Sequence, residues 1–365
     1  MLFFLVPAVI LAAAVLVFLN ARRTEPVYFC TEAFGGFTEN LEGDPFTVYR
    51  WDGGETYVPV FTEEREELRP METAISGHTL YYALQTGERE NRIWRVDLKT
   101  GQKEVLADLD CIVREMETNG EELFLVVYEP EAAFPGYRLG VLREGAFLDC
   151  APVHWPYSPV SCDASGCWYV EYDREDFVQR LCYLPSDTLI PEKVYEGVHM
   201  PSGLQAAPDG VYYAYIDYSE KSEPGRLSFY PRDGSGEVKL LTDLSPDGPE
   251  VSEKKRVSFI GFMALGGDKL FYVTYTDYYA PTGEDRDRGH YLHCLDRKTG
   301  KVTEYGRIDP DTGVGTVRFP CLLTWAKGGF LLNEADWWAQ DPAEANAFSF
   351  YTWSGKRTEL RQAPM

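Results

Sequence analysis

Residues 77–106 read GHTLYYALQTGERENRIWRVDLKTGQKEVL, and the parts of this phrase recur along the chain. A glycine turn enters the aromatic run Leu80-Tyr81-Tyr82, and a polar stretch follows. Ile93-Trp94-Arg95-Val96-Asp97 then runs through the turn Leu98-Lys99-Thr100-Gly101 into a last strand around Val105. Residues 267–302, GDKLFYVTYTDYYAPTGEDRDRGHYLHCLDRKTGKV, repeat the same order of turn, strand, loop, strand and Lys-Thr-Gly turn. A unit of four short strands cannot cover its own faces, so its recurrence predicts blades stacked side by side around an axis, a β-propeller.

With the strands of each blade labelled A to D from the centre outward, the B strands are the easiest to follow. They are expected at Val27 to Thr31, Leu80 to Leu84, Leu123 to Tyr128, Trp168 to Tyr172, Val211 to Ile216, Leu270 to Tyr275 and Phe330 to Asn333. Each later one follows a turn such as Ser76-Gly77, Asn119-Gly120 or Asp209-Gly210, whose glycine is expected to supply the positive φ of a tight hairpin. The fold class is therefore all-β, a propeller of seven four-stranded blades with six or eight as alternatives. The first unit lacks an A strand, and the way the ring closes is left open.

The "LYY" and "IWRVDLKTG" phrases resemble the extracytoplasmic bacterial propellers related to TolB and the YWTD-type propellers of lipoprotein receptors. The likeness runs through hairpin phrases from Val27 to the end of the chain and departs from strict YWTD wording in every unit. It implies a propeller and a habit of binding proteins or peptides; it implies no catalytic residue.

The 14% aromatic content suits pleated, half-buried surfaces. A net charge of -23 excludes nucleic acid as a partner, because the phosphate backbone would be repelled. The run from Leu2 to Leu19 carries no charge, and as a helix it would span roughly 27 Å, near the thickness of a bilayer core. Residues 1–21 are read as a transmembrane anchor or uncleaved signal segment, residues 22–26 as a linker and residues 27–365 as the propeller. Arg22 and Arg23 behind the helix point to a cytoplasmic propeller, whereas large domains behind a single anchor are usually exported; the expectation is a single-pass membrane protein with its propeller outside.

Loop lengths carry the functional expectation. Every B-to-C connection is longer than the A-to-B and C-to-D turns, and in a four-stranded meander these connections share one face. They hold Asp277, Tyr278 and Tyr279 in the sixth unit, Glu334, Asp336, Trp337 and Trp338 in the seventh, and Phe134 and Tyr218 earlier. Aromatic rings beside carboxylates suit peptides, glycans or cationic groups. Asp277, Tyr278, Tyr279, Asp336, Trp337, Trp338, Tyr218 and Phe134 are thus the candidate ligand-binding residues; the opposing reading folds Trp337 and Trp338 over the blade edge as a lid on the core.

Other motifs read as structure. His290 and His293, three apart on a strand, face opposite ways and fit the core better than a metal site. Asp285, Asp287 and Gly289 make half a calcium loop with no later glutamate. Ser161, Asp163, Gly166 and Trp168 are similar to an Asp-box turn, and Cys162 and Cys167 flank that turn without a C-x-x-C spacing. No nucleophile elbow, P-loop or dinucleotide fingerprint occurs, so no cofactor is expected. The leading expectation is a non-catalytic propeller at the cell envelope that binds a protein, peptide or glycan through its long-loop face. The rivals are a glycan hydrolase or lyase with carboxylates at the channel mouth, and a purely structural envelope module.

Overall fold

The computed structural model describes residues 26–30, 46–63, 70–129, 136–153, 160–173, 178–199, 201–216, 225–241, 255–278, 288–307, 318–336 and 346–364. They form seven four-stranded sheets, so the count of seven blades holds. Blade 1 contains β1 (Val27–Cys30), β2 (Phe46–Trp51) and β3 (Thr56–Glu63). Blade 2 follows with β4 (Pro70–Ser76), β5 (Thr79–Gln85), β6 (Asn91–Asp97) and β7 (Lys103–Leu109). Blade 3 is β8 (Ile112–Thr118), β9 (Leu123–Tyr128), β10 (Tyr137–Arg143) and β11 (Ala146–Pro152). Blade 4 is β12 (Ser161–Asp163), β13 (Gly166–Asp173), β14 (Val178–Pro185) and β15 (Glu192–Glu196). Blade 5 is β16 (Pro201–Ala207), β17 (Gly210–Ile216), β18 (Gly225–Pro231) and β19 (Val238–Leu241). Blade 6 is β20 (Lys255–Gly266), β21 (Lys269–Tyr278), β22 (Arg288–Asp296) and β23 (Val302–Arg307). Blade 7 is β24 (Arg318–Ala326), β25 (Gly329–Asp336), β26 (Asn346–Thr352) and β27 (Arg357–Glu359), and β28 (Arg361–Gln362) ends the series.

The repeated phrase has a local cause. Asp97 Oδ1 accepts the backbone N–H groups of Lys99 at 2.8 Å and Thr100 at 2.9 Å, while Gly101 N–H donates to the Asp97 carbonyl at 2.7 Å. Asp296 repeats this with Lys298 at 3.0 Å, Thr299 at 2.9 Å and Gly300 at 2.8 Å. The glycine of each turn sits at positive φ, 73° and 69°, where other residues are strained. The turn before each B strand is less uniform than expected. Gly77 has φ 57°, as the hairpin argument requires, whereas Gly210 is not at positive φ. A Cβ on Gly210 would lie 2.2 Å from the Tyr230 carbonyl oxygen, so that glycine serves close approach of β17 to β18.

Each pair of neighbouring blades shares one apolar cluster. Phe124 and Val126 of β9 pack on Cys167 and Tyr169 of β13, and Trp168 and Val170 of β13 pack on Val211 and Tyr213 of β17. Second strand thus lies against second strand around the ring. The same rule places β1: Tyr28 and Cys30 pack on Leu80 and Tyr82 of β5, while Phe29 packs on Leu331 of β25. β1 is therefore a second strand, and it forms one edge of its sheet, whose order is β1-β2-β3-β28. Among the described residues no strand takes the inner position of blade 1.

Ring closure, left open by the sequence, is made by the end of the chain. β27 passes through the buried Leu360 into β28, which pairs in parallel with β3, Arg361 opposite Thr56 and Gln362 opposite Tyr57. Arg361 and Ala363 donate backbone hydrogen bonds of 2.8 Å to the carbonyls of Glu55 and Tyr57. Among the described residues no helix is long and apolar enough to cross a membrane, and the expected anchor at residues 1–21 lies outside them.

Candidate functional site

Because strands consecutive within a blade pair antiparallel, all seven B-to-C ends point to one face of the ring. Of the expected ligand-binding residues on that face, Tyr279, Trp337, Trp338, Tyr218 and Phe134 lie outside the described residues. The other three belong to strands rather than to loops, which corrects the expected boundaries. β21 extends through Asp277 and Tyr278, with Asp277 opposite both Arg256 and Arg288 and Tyr278 opposite Lys255. β25 extends to Asp336, opposite Arg318. The run Thr274-Tyr275-Thr276 consists of strand-forming residues, which favours continued pairing.

Glu334 is likewise a strand residue and only 1% exposed, with Arg357 Nη2 3.0 Å from its Oε2. Its carboxylate holds β25 to the outer strand β27. Both sequence-flagged histidines on β22 are buried. The ring of His293 stacks on Tyr272 at 5.0 Å, and its Nε2 is 2.8 Å from Thr274 Oγ1. Asp163 Oδ1 accepts the N–H groups of Ser165 and Gly166 and the hydroxyl of Tyr183, which makes the Asp-box-like residues a turn. Cys162 and Cys167 are directly opposed across the β12–β13 hairpin as free thiols. Among the described residues no three His, Cys, Asp or Glu side chains are grouped to hold a metal ion.

One concavity that the described residues form is at the other end of the channel. A cavity of about 670 Å³ is bounded by β1, by Thr73, Ala74 and Ile75 of β4, by Met116 and Glu117 of β8, and by Thr324 and Trp325 of β24. Gly77 and Lys327, in the short A-to-B turns, form its rim. It occupies the place where an inner strand of blade 1 would run. Tyr28, Phe29 and Cys30 are only 6%, 2% and 3% exposed, so β1 presents its backbone edge, not its side chains, to this space. Trp325 is 44% exposed and packs beside Gly266, supplying an aromatic surface at the rim. The sequence signal for this cavity was the missing A strand of the first unit; the loop-length argument drew attention to the opposite face.

Deeper in the inner layer, Glu115 on β8 accepts the Val160 N–H at 2.9 Å. Burial, reinforced by the neighbouring charge of Glu117, pushes its carboxyl up to about 8, while the Val160 hydrogen bond works in the opposite direction. A second hollow, about 760 Å³ on the flank of blade 2, is walled by charges that satisfy one another. There Lys103 Nζ lies 2.7 Å from Glu63 and 4.1 Å from the Trp94 ring centre, and Arg95 pairs with Glu104. It is a solvated ion-pair network.

No protein-family model matches the chain, and no curated protein matches it in sequence. Solved structures do. The propeller domain of the Trilobed protease from Pyrococcus furiosus is similar at 12% identity and a TM-score of 0.55, over 92% of this chain and 92% of that one. An oligogalacturonate lyase from Vibrio parahaemolyticus is similar at 13% identity and a TM-score of 0.53, over 92% of this chain and 84% of that one. TolB from Acinetobacter baumannii is also similar, at 12% identity and a TM-score of 0.37, over 80% of this chain and 57% of that one. At such identities the likeness is one of fold: the chain is a β-propeller, similar in architecture to proteins of different activities.

Proposed function

We propose that this protein is a membrane-tethered, non-catalytic recognition propeller, exposed at the cell envelope, that binds a protein, peptide or glycan through its long-loop face. One observation carries the reading. The connections 31–45, 217–224, 279–287 and 337–345 all leave the same end of a rigid ring, while the strands at the other end join through turns as short as Gly77-His78 and Gly267-Asp268. A scaffold that meets its folding requirement with short turns on one face and elaborates the other is suited to recognition. The aromatic and acidic residues Tyr278, Tyr279, Trp337 and Trp338 with Asp277 and Asp336 supply stacking and hydrogen-bonding chemistry on that side.

The test replaces Tyr278, Tyr279, Trp337 and Trp338 together by alanine and measures binding to glycan and peptide arrays alongside thermal unfolding. Loss of binding at an unchanged transition supports the reading; unchanged binding refutes the site. Turnover of any arrayed glycan, abolished by changing one carboxylate, would replace it with the hydrolase or lyase alternative.

A further inference from the structure

The inner hairpin of blade 4 carries a cysteine on each side. Asp163 and Gly166 close its two-residue turn, and Cys162 is directly opposite Cys167. The closing pair of such a hairpin is hydrogen-bonded and pair types alternate along an antiparallel ladder, so Cys162 and Cys167 form a non-hydrogen-bonded pair, whose Cα atoms lie about 4.5 Å apart. That is within the span of a disulfide, roughly 4.4–6.8 Å between Cα atoms. Both side chains pack in the cluster shared by blades 3 and 4, and the two thiols are in hydrogen-bonding contact with each other. The same register position holds apolar pairs elsewhere: Ile75 and Leu80 in blade 2, Ala206 and Val211 in blade 5, Leu265 and Leu270 in blade 6. We propose that Cys162 and Cys167 are a disulfide site, closed by exchange with a small-molecule disulfide such as oxidised glutathione, and that the bridge holds β12 in its sheet.

β12 is the strand that gains most from such a link. It has 3 residues, whereas β4, β8 and β16 in the same inner position have 7 each. Immediately before it, the Val160 N–H donates to the Glu115 carboxyl group of blade 3 at 2.9 Å, and within it Ser161 Oγ accepts the Ala206 N–H of blade 5 at 2.9 Å. One short strand thus ties three blades together, and only three register positions bind it to its own neighbour β13. A covalent bond at the middle position makes that attachment independent of the ladder.

The reaction is a two-step exchange. Cys162 is the more exposed of the two, so its thiolate attacks one sulfur of oxidised glutathione, forming a mixed disulfide and releasing one glutathione thiolate. The Cys167 thiolate then attacks the Cys162 sulfur and displaces the second glutathione. Two cysteine thiols lose two electrons, one glutathione disulfide is reduced to two glutathione molecules, and these take up the two protons. Burial, together with the charge of Glu117, keeps both sulfurs protonated, so exchange in the folded, reduced protein is slow and the bridge closes as the chain folds. Cys182 packs in the same cluster but is opposite Tyr169, and its diagonal separation from Cys167, about 7–8 Å between Cα atoms, is too long for a bridge. The site uses none of the long connections, so its fate is independent of the recognition-face reading.

The full-length protein is unfolded, reduced and refolded in equal concentrations of oxidised and reduced glutathione, and the remaining thiols are blocked. Cleavage before aspartate separates residues 149–162 from residues 163–172, so the bridge is read by mass spectrometry as these two peptides joined until a reductant is added. The joined pair should exceed every other cysteine pairing at least tenfold. It should persist in Cys150→Ala, which leaves Cys162 as the one cysteine of residues 149–162, and vanish in Cys162→Ala. Hydrogen exchange of the Ser161 and Asp163 amides, which face β13, should be at least tenfold slower in the oxidised wild type than in the reduced one. Refolded wild type in which Cys162 and Cys167 both stay free, or in which Cys167 is joined to another cysteine, overturns the site. Exchange indifferent to oxidation overturns the part of the bridge in holding β12. Both deciding measurements use the wild type, so neither depends on a variant that folds.

Discussion

The rings of Phe29 and Phe348 lie 4.7 Å apart across the junction of the first and last blades. Both are 2% exposed and belong to the cluster that also holds Trp51, Leu331 and Leu360. The pairing of β28 with β3 contributes only two register positions to the same junction. Apolar burial is therefore the main bond between the ends of the ring. Phe348→Ala is expected to lower stability by about 3–5 kcal/mol in urea unfolding, whereas deleting residues 361–365 should cost about half as much or less. An equal or greater loss from the deletion would assign closure to the strand.

Arg357 and Glu334 test the meaning of a buried carboxylate on the second strand of blade 7. Removing the guanidinium takes a hydrogen-bonded cation away from Glu334, which is 1% exposed. Arg357→Met should destabilise by about 3 kcal/mol, and the double change with Glu334→Gln should recover part of that loss. A silent Arg357→Met in thermal unfolding would remove the ion pair from the account of blade 7.

Glu115 makes stability depend on pH. Its carboxyl is raised from 4.5 in the unfolded chain to about 8 in the folded one, so the native state holds the proton more tightly. Its contribution is complete below pH 4.5 and is lost as pH rises through 8. Between pH 5 and pH 9 the wild type should lose on the order of 1–3 kcal/mol relative to Glu115→Gln, measured by denaturant unfolding. Parallel profiles for the two proteins would rule out this linkage.

The thiols are expected to be inert while the protein is folded. Burial raises Cys111 to about 11 and Cys182 to about 12, and pushes Cys162, Cys167 and Cys294 upward as well. At pH 8 an aromatic disulfide reagent should label them slowly, with full reactivity appearing only in denaturant. Fast labelling of Cys162 in the native protein would show that the β12–β13 hairpin opens.

The blade repeat was legible because its signals are local. Alternating apolar residues, the Asp97-to-Gly101 turn and its copy at Asp296-to-Gly300 each act within a few residues. The strand core of every B element was readable for the same reason. Closure was not, because Arg361 and Gln362 carry no strand signature and gain their structure from Thr56 and Tyr57, far away in the chain. The site was partly legible: spacing left the first unit without an inner strand, but that a walled cavity lies beside β1 among the described residues depends on how β4, β8 and β24 converge. Asp277 and Asp336 were placed in loops because period-two alternation fades at strand ends, where pairing with Arg256, Arg288 and Arg318 extends the ladder.

The seam between β3 and β28 also orders events in time. Blade 1 precedes the other six in translation, yet its outer edge is paired by residues made after all of them. Until Arg361 and Gln362 emerge, β3 has an uncovered flank and Phe29 lacks the Phe348 ring. The six complete blades can form as they are translated, while the first must wait for Arg361 and Gln362, so a nascent product stalled or truncated before them has its exposed edge and its open apolar seam in the same blade.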